Sequence, residues 1–285
     1  MFEQKKESNI SIPRQKEFDE ILGFFKEAGA GKLYVLADFD NTLTKAFVGG
    51  KRVPSLISVL RGGDYLSPEY RKKAHALYEK YHAFENDQRL SLNERKEKMQ
   101  EWWKEHFDLL ISCGLRKDDL NRVINESGIE LREGAKEFFA TLQEKGVPLI
   151  IISSSGIGDI IELILVKNNV DLKNIKIITN RFNYDENGKV ISVKQPVIHS
   201  LNKDETSFEE ETAQTLVGRN NVILLGDSLG DTAMMAGRSN ERVLKVGFLN
   251  EKISEQKQAY EQNFDAIVVN DGDLSLVNRI INKIK

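Results

Sequence analysis

Short runs made almost wholly of aliphatic residues punctuate the chain at Leu33 to Ala37, Leu149 to Ile152, Lys176 to Thr179, Asn221 to Leu225, Val243 to Val246 and Ala266 to Val269. Unbroken apolar character, as opposed to in–out alternation, marks strands covered on both faces, and such strands belong to parallel sheets. Between these runs lie stretches whose apolar positions recur three and four apart. The clearest, Leu131 to Gly146, reads as a helix stopped by its glycine and leading directly into the Leu149 run. The alternation predicts an α/β fold, a doubly wound parallel sheet with helices on its faces. Tyr184 to Ile191 carries the pair Asn187-Gly188 between polar and β-branched residues, a hairpin signal read as a peripheral excursion. From Gly50 to about Gly128 the strand runs vanish. Charged, helix-favouring sequence takes over there, interleaved with Tyr70, Tyr78, Tyr81, Phe84, Trp102, Trp103 and Phe107. The expected organisation is therefore an α/β core built from residues 1–49 and 129–285, with a helical cap, residues 50–128, inserted after the first strand. No internal repeat or low-complexity segment interrupts it.

Composition narrows the function classes more than the fold. At 285 residues, 40% hydrophobic and 30% charged, the chain has the make-up of an ordinary globular protein long enough for one sizeable domain and a smaller insert. A formal net charge of −3 provides no field to gather a polyanion, so nucleic acid is not an expected partner. Residues 1–10 lack the apolar core of a signal peptide, and no run approaches the roughly 20 apolar residues of a membrane helix. A cytoplasmic protein without a membrane partner is expected, and the sequence gives no indication of oligomeric state. Cys113 is the only cysteine, which rules out an intrachain disulfide and argues against a thiolate metal site. The four histidines, His75, His82, His106 and His199, show no metal-ligand spacing.

Chemistry concentrates at the end of the first strand run, where Asp38 and Asp40 stand one residue apart. Positions i and i+2 of a strand lean the same way, and open α/β sheets place ligands at the carboxyl ends of their strands. Two acids held so close require a cation between them or a proton on one. Phosphoryl transfer uses both conditions: Asp38 is the expected nucleophile and Asp40 the general acid and base. Mg²⁺ is the expected cofactor, held by Asp38, the backbone carbonyl of Asp40 and Asp227, with Asp231 orienting the ligands or their waters. Downstream come Ile150-Ile-Ile-Ser-Ser-Ser-Gly156, Lys203, and Asn221 to Asp231. The order resembles the four motifs of the haloacid dehalogenase (HAD) superfamily of phosphohydrolases. Asp38, Asp40 and Thr42 match the first motif, Ser154 the second, Lys203 the third, and Asp227 with Asp231 the fourth. The resemblance implies a HAD-like core, often carrying a helical cap at this point, and phosphate binding by Thr42, Ser154, Ser155 and Lys203. Ser153, Ser154 and Ser155 all precede Gly156, so the hydroxyl that meets phosphate stays open among them.

Other motifs compete less well. Gly156-Ile-Gly158 lacks the third glycine of a dinucleotide loop, since Ile161 stands in its place. Gly226-Asp-Ser-Leu229 spells the signature of the GDSL esterases, but every histidine lies upstream of Ser228 where that chemistry needs a downstream base. Longer stretches resemble the pyrimidine 5′-nucleotidase family, the cytosolic type III nucleotidases: Ala37 to Thr44, Tyr81-His-Ala-Phe-Glu85, Glu101-Trp-Trp103, Ser155 to Asp159, Ile198 to Lys203 and Leu224 to Asp231. That likeness spans nearly the whole chain, cap included. It implies Mg²⁺-dependent hydrolysis of nucleoside 5′-monophosphates, pyrimidine ones first, and phosphotransfer to a nucleoside as a side activity. Glu85 would read the base and Trp103 would stack on it. The alternatives are a phosphoserine-type or other small-metabolite phosphatase, or a catalytically silent phospholigand-binding protein.

Overall fold

A computed structural model of the chain describes residues 9–204, 210–236 and 241–285. Its strands, in chain order, are β1 (Ile10–Ser11), β2 (Leu33–Ala37), β3 (Phe47–Val48), β4 (Lys51–Arg52), β5 (Leu149–Ile157), β6 (Ile175–Asn180), β7 (Phe182–Tyr184), β8 (Val190–Val193), β9 (Asn221–Gly226), β10 (Arg242–Leu249) and β11 (Ala266–Val269). Seven of them form one sheet in the order β1-β11-β10-β9-β2-β5-β6. Every pair is parallel except β1 with β11. All six apolar runs are strands of this sheet, and the edge strand β1, only two residues long, is the one the pattern did not show.

β2 is an interior strand between β9 and β5, its five residues fully buried. Alternate side chains serve opposite faces: Leu33, Val35 and Ala37 join one apolar cluster, Tyr34 and Leu36 the other. Ala37 pairs with Leu225 on one side and with Ile151 on the other, so β2 and β9 end together beside Asp38 while β5 runs on to Ile157. From β2 the chain crosses to β5 on one flank and reaches β9 on the opposite flank. The crevice at that switch point is where open α/β sheets bind ligands.

Between β4 and β5 lie five α-helices with no strand of the main sheet among them, and the first four are Leu56–Gly62, Pro68–Tyr81, Leu92–Ser112 and Lys117–Glu126. Their starts follow local chemistry. Ser67 accepts from the Tyr70 N–H at 3.2 Å ahead of Pro68, and Ser91 and Glu94 cap each other reciprocally. These helices share the larger apolar cluster with the sheet through Tyr70, Trp103 and Phe107. The β7–β8 hairpin forms where Asn187-Gly188 predicted it, but it is not peripheral. Phe182 meets the Phe107 ring edge-on at 5.7 Å, and Arg116 bridges to Lys189, so the hairpin supports the long helix 92–112. The helix expected over Leu131 to Gly146 begins only at Ala135, because Leu131 pairs with Thr44 and Gly134 turns the chain at φ 84°. Among the described residues no helix is long and apolar enough to cross a membrane.

Candidate active site

Asp38, Asp227 and Asp231 each bring a carboxylate oxygen within 4.8 Å of the others. Lys203, buried, donates to Asp38 and, at 3.2 Å, to Asp231. Burial opposes the charge on Lys203, yet Asp231 and Asp38 together hold its ammonium firmly protonated. One ammonium does not balance three carboxylates. Burial pushes Asp38 up to about 7 against the pull of Lys203, and burial together with the charges of Asp38 and Asp231 drives Asp227 well above the ordinary carboxyl range. Such crowding is the signature of a site that expects a further cation. Gly226 makes the approach feasible, since a Cβ there would fall 2.5 Å from that of Asp231. Asp231, expected to orient the ligands or their waters, brings one oxygen into this cluster, while its second oxygen takes the Ser228 N–H and hydroxyl, each at 2.9 Å. The Tyr260 hydroxyl donates to the Asp227 carbonyl.

Asp40 is held differently. One of its oxygens accepts from the Leu56 N–H at 3.2 Å, at the start of the first inserted helix, and the other from the Ser155 hydroxyl. Burial lifts this carboxyl to about 6 in spite of those donors. Of the three serines ending β5, each has its own post. Ser153 turns inward to accept from the Gly156 N–H at 3.0 Å, Ser155 serves Asp40, and Ser154 lines the cleft with no partner for its hydroxyl among the described residues. Gly156 is needed for packing, as a Cβ would sit 2.3 Å from the Thr179 hydroxyl oxygen and 2.7 Å from Ile161. Asn180 fixes the motif from behind, donating to the Ser154 and Ile198 carbonyls at 3.0 and 2.9 Å.

The loop after Asp40 is governed by a residue the sequence did not single out. Arg132, fully buried, donates to the carbonyls of Asn41, Thr42 (2.7 Å) and Gly272 (2.6 Å), reaches Asn250 at 3.1 Å and pairs with Asp271 at 3.0 Å. Asp271 in turn accepts from the Ala46 and Phe47 N–H groups, each at 2.9 Å. Asn41 takes a left-handed turn at φ 55° and its carbonyl also accepts from Asn250 at 2.9 Å. Burial lowers the guanidinium to about 10 despite Asp271 and Asp227. Thr42 is fully buried, its hydroxyl without a partner among the described residues, and it is not among the residues lining the cleft.

A cleft of about 270 Å³ runs from these acids to the inserted helices, and Glu85 and Trp103 line it together with Asp38, Asp40, Ser154 and Lys203. Both expected base contacts therefore share one cavity with the acids. Glu85 lies half-buried in the turn His82–Asn86, its carboxylate without a hydrogen-bond partner among the described residues. Trp103 is buried, with Trp102 at 6.3 Å, His106 at 6.2 Å and Phe107 at 5.2 Å between ring centroids. Arg61, Tyr78 and His106 complete this end of the cleft, and none carried a sequence signal beyond residue type.

Comparison with known proteins agrees with this geometry. Residues 41–285 match the family model described as pyrimidine 5′-nucleotidase (UMPH-1). A human relative, 7-methylguanosine phosphate-specific 5′-nucleotidase, is 38% identical over 93% of this chain and 89% of its own length. The crystal structure of cytosolic 5′-nucleotidase IIIB bound to cytidine superposes with a TM-score of 0.85 at 26% identity, covering 96% of this chain and 92% of that one. A HAD family hydrolase from Salmonella enterica serovar Typhi shares the fold at a TM-score of 0.55 and 15% identity, over 88% of this chain and 71% of its own. The crowded acids at the sheet's switch point are thus the candidate active site of a 5′-nucleotidase, and the chain is a member of the pyrimidine 5′-nucleotidase family.

Proposed function

We propose that the chain is a cytoplasmic, Mg²⁺-dependent phosphatase of pyrimidine nucleoside 5′-monophosphates, working through a phosphoryl group carried on Asp38. The observation that carries this reading is the single cleft with Asp38 and Asp40 at one end and Glu85 and Trp103 at the other. Asp38 attacks phosphorus, and Asp40, its carboxyl raised to about 6, gives its proton to the departing 5′-oxygen. Asp40 then takes a proton from the water that attacks the aspartyl-phosphate, releasing phosphate and restoring Asp38. Lys203 offsets negative charge on Asp38 and on the phosphoryl oxygens, and the unpartnered Ser154 hydroxyl is placed to donate to the latter. Ser155 and the Leu56 N–H keep Asp40 aimed and stop it from joining the metal-facing acids.

The donor set fits Mg²⁺: Asp38 and Asp227, with the Asp40 carbonyl, offer hard oxygen ligands in a pocket with surplus negative charge. When bound, that ion supplies charge neutralisation for the nucleophile and the phosphate. Treatment with EDTA is expected to abolish turnover and Mg²⁺ to restore it, with Zn²⁺ a poorer substitute; Asp227→Ala is expected to raise the Mg²⁺ concentration for half-maximal rate at least about 10-fold, as loss of a direct ligand should. Full activity in metal-stripped protein overturns this part.

Base choice rests on Glu85. A carboxylate accepts from the exocyclic amine of cytosine but faces a carbonyl in uracil, so CMP is expected to outrank UMP. Glu85→Gln is expected to cost about 1–3 kcal/mol in kcat/KM for CMP and less for UMP. Equal constants for wild type and variant on both substrates return Glu85 to a plain surface acid. A second reading, 7-methylguanosine monophosphate as substrate, is favoured by the human and chicken relatives, both named 7-methylguanosine phosphate-specific 5′-nucleotidase, and its rate beside CMP and phosphoserine decides between them.

A further inference from the structure

Arg61 lies in the first inserted helix, is only 8% exposed, and lines the same cleft as Glu85 and Trp103. Its one hydrogen bond among the described residues goes to the Ser58 hydroxyl at 3.0 Å, and its guanidinium stacks over the Tyr78 ring at 4.2 Å. A guanidinium carries five N–H donors, and a buried one ordinarily gives them to carboxylates or carbonyls. Arg132, also buried, does so fully, bonding three backbone carbonyls and Asp271. Arg61 has neither kind of acceptor among the described residues. Aromatic contacts put its unused donors at the far end of the cleft from the catalytic acids. Tyr78 lies 5.8 Å from Trp102, and Trp102 6.3 Å from Trp103, between ring centroids. His106, stacked on Trp103 at 6.2 Å, is held down to about 3 by burial and then by the charge of Arg61, which places the two side chains close together.

We propose that Arg61 donates to a ring carbonyl of the base, so that the enzyme selects nucleoside monophosphates whose base carries one, O2 of cytosine or O6 of guanine, over adenine, which has none. Glu85 and Arg61 then act as a complementary pair in one cavity, an acceptor for the exocyclic amine and a donor for the carbonyl. A charged donor that meets no acceptor stays desolvated and unpaired, and a site built in this way discriminates strongly against the base that lacks the group. Asp38, Asp40 and Glu85 line the same cleft, so Arg61 works through the direction of its hydrogen bonds and not through a net positive field. Cytosine and guanine each bear an amine and a carbonyl, and methylation of guanine at N7 leaves both in place. The role of Arg61 therefore holds for either of the two substrate readings above.

This proposal rests on the nucleotidase reading but is tested apart from its pyrimidine preference, by changing one atom of the base. Values of kcat/KM are measured for CMP beside 2-thio-CMP and for GMP beside 6-thio-GMP, on wild type, Arg61→Met and Arg61→Lys. Sulfur accepts a hydrogen bond poorly, and each ratio, taken on one enzyme sample, cancels any loss of folded protein. Wild type is expected to favour the oxygen member of whichever pair it turns over by about 10-fold or more, the loss expected when a charged donor meets a poor acceptor. Arg61→Met, which offers no donor, is expected to bring the members of a pair within about 3-fold of each other, and Arg61→Lys to retain a preference for oxygen. Equal turnover of the oxygen and sulfur members by wild type, or a ratio unchanged in Arg61→Met, overturns the role of Arg61. Poor CMP turnover beside an Arg61-dependent ratio for the guanine pair overturns the pyrimidine preference alone.

Discussion

Asp38→Asn is expected to lose all measurable phosphatase activity while the protein stays folded, and Asp40→Asn to retain a residue of activity, about 10²–10⁴-fold below wild type. The difference follows from what each carboxylate touches. Asp38 faces Lys203 and the other acids, where an amide lacks both the nucleophilic charge and the power to hold a cation. Asp40 faces two donors, Ser155 and the Leu56 N–H, so its isostere keeps one acceptor but neither gives nor takes the proton. Stability is expected to move in the opposite sense for Asp38→Asn. Its carboxyl is raised to about 7, chiefly by burial, so the charged form destabilises the metal-free fold, increasingly as pH rises from the unfolded value near 4 through 7. An asparagine removes that penalty. Urea titration at pH 8 without metal, set beside single-turnover rates, checks both claims. Near-wild-type turnover in Asp38→Asn sinks the assignment of the nucleophile.

Arg132→Met is expected to cost about 3–5 kcal/mol of stability, the usual loss when one partner of a buried ion pair is removed and the other stays. Arg132 bonds three backbone carbonyls as well as Asp271, so the variant takes this donor from Thr42 and Gly272 in a dry interior and leaves Asn41 with Asn250 alone. The loop it releases carries the turn directly after Asp40. The loss is therefore expected to reach kcat more than KM, as the acid pair loses its alignment while the distant base contacts persist. A double-mutant cycle with Asp271→Asn separates the ion pair from the carbonyl bonds: coupling of less than about 0.5 kcal/mol would assign the whole effect to the loop. An Arg132→Met protein as stable as wild type removes Arg132 from the architecture of the site.

Why the six strands were legible and Arg132 was not is a matter of range. A parallel strand buried on both faces writes its environment into consecutive residues, and β2, β5, β9 and β10 each did so. Asp38, Lys203, Asp227 and Asp231 were legible because motif order encodes strand order, and the structure brings them together. Ser155 illustrates the limit. Three adjacent serines look alike in sequence, and only the twist at the end of β5 decides that one faces Gly156, one the cleft and one Asp40. The β7–β8 hairpin was found from its Asn-Gly turn, whereas its packing against Phe107 depended on a partner 75 residues away (182 − 107). Arg61 and Arg132 are both arginines in charged surroundings. Burial alone distinguishes them from solvated ones, and burial is a property of the fold.

The interior position of β2, between β5 and β9, also governs how the molecule is made. Its neighbour on one side, β5, begins at Leu149, but the other, β9, begins at Asn221. A chain emerging from the ribosome therefore carries an apolar strand with one unpaired edge, open to mispairing, until its last quarter appears. Lys203 also lies late in the chain, so Asp38 stays without its ammonium partner until then. Folding of this enzyme is consequently a late, long-range event, and refolding from denaturant is expected to be slow and prone to aggregation at high protein concentration.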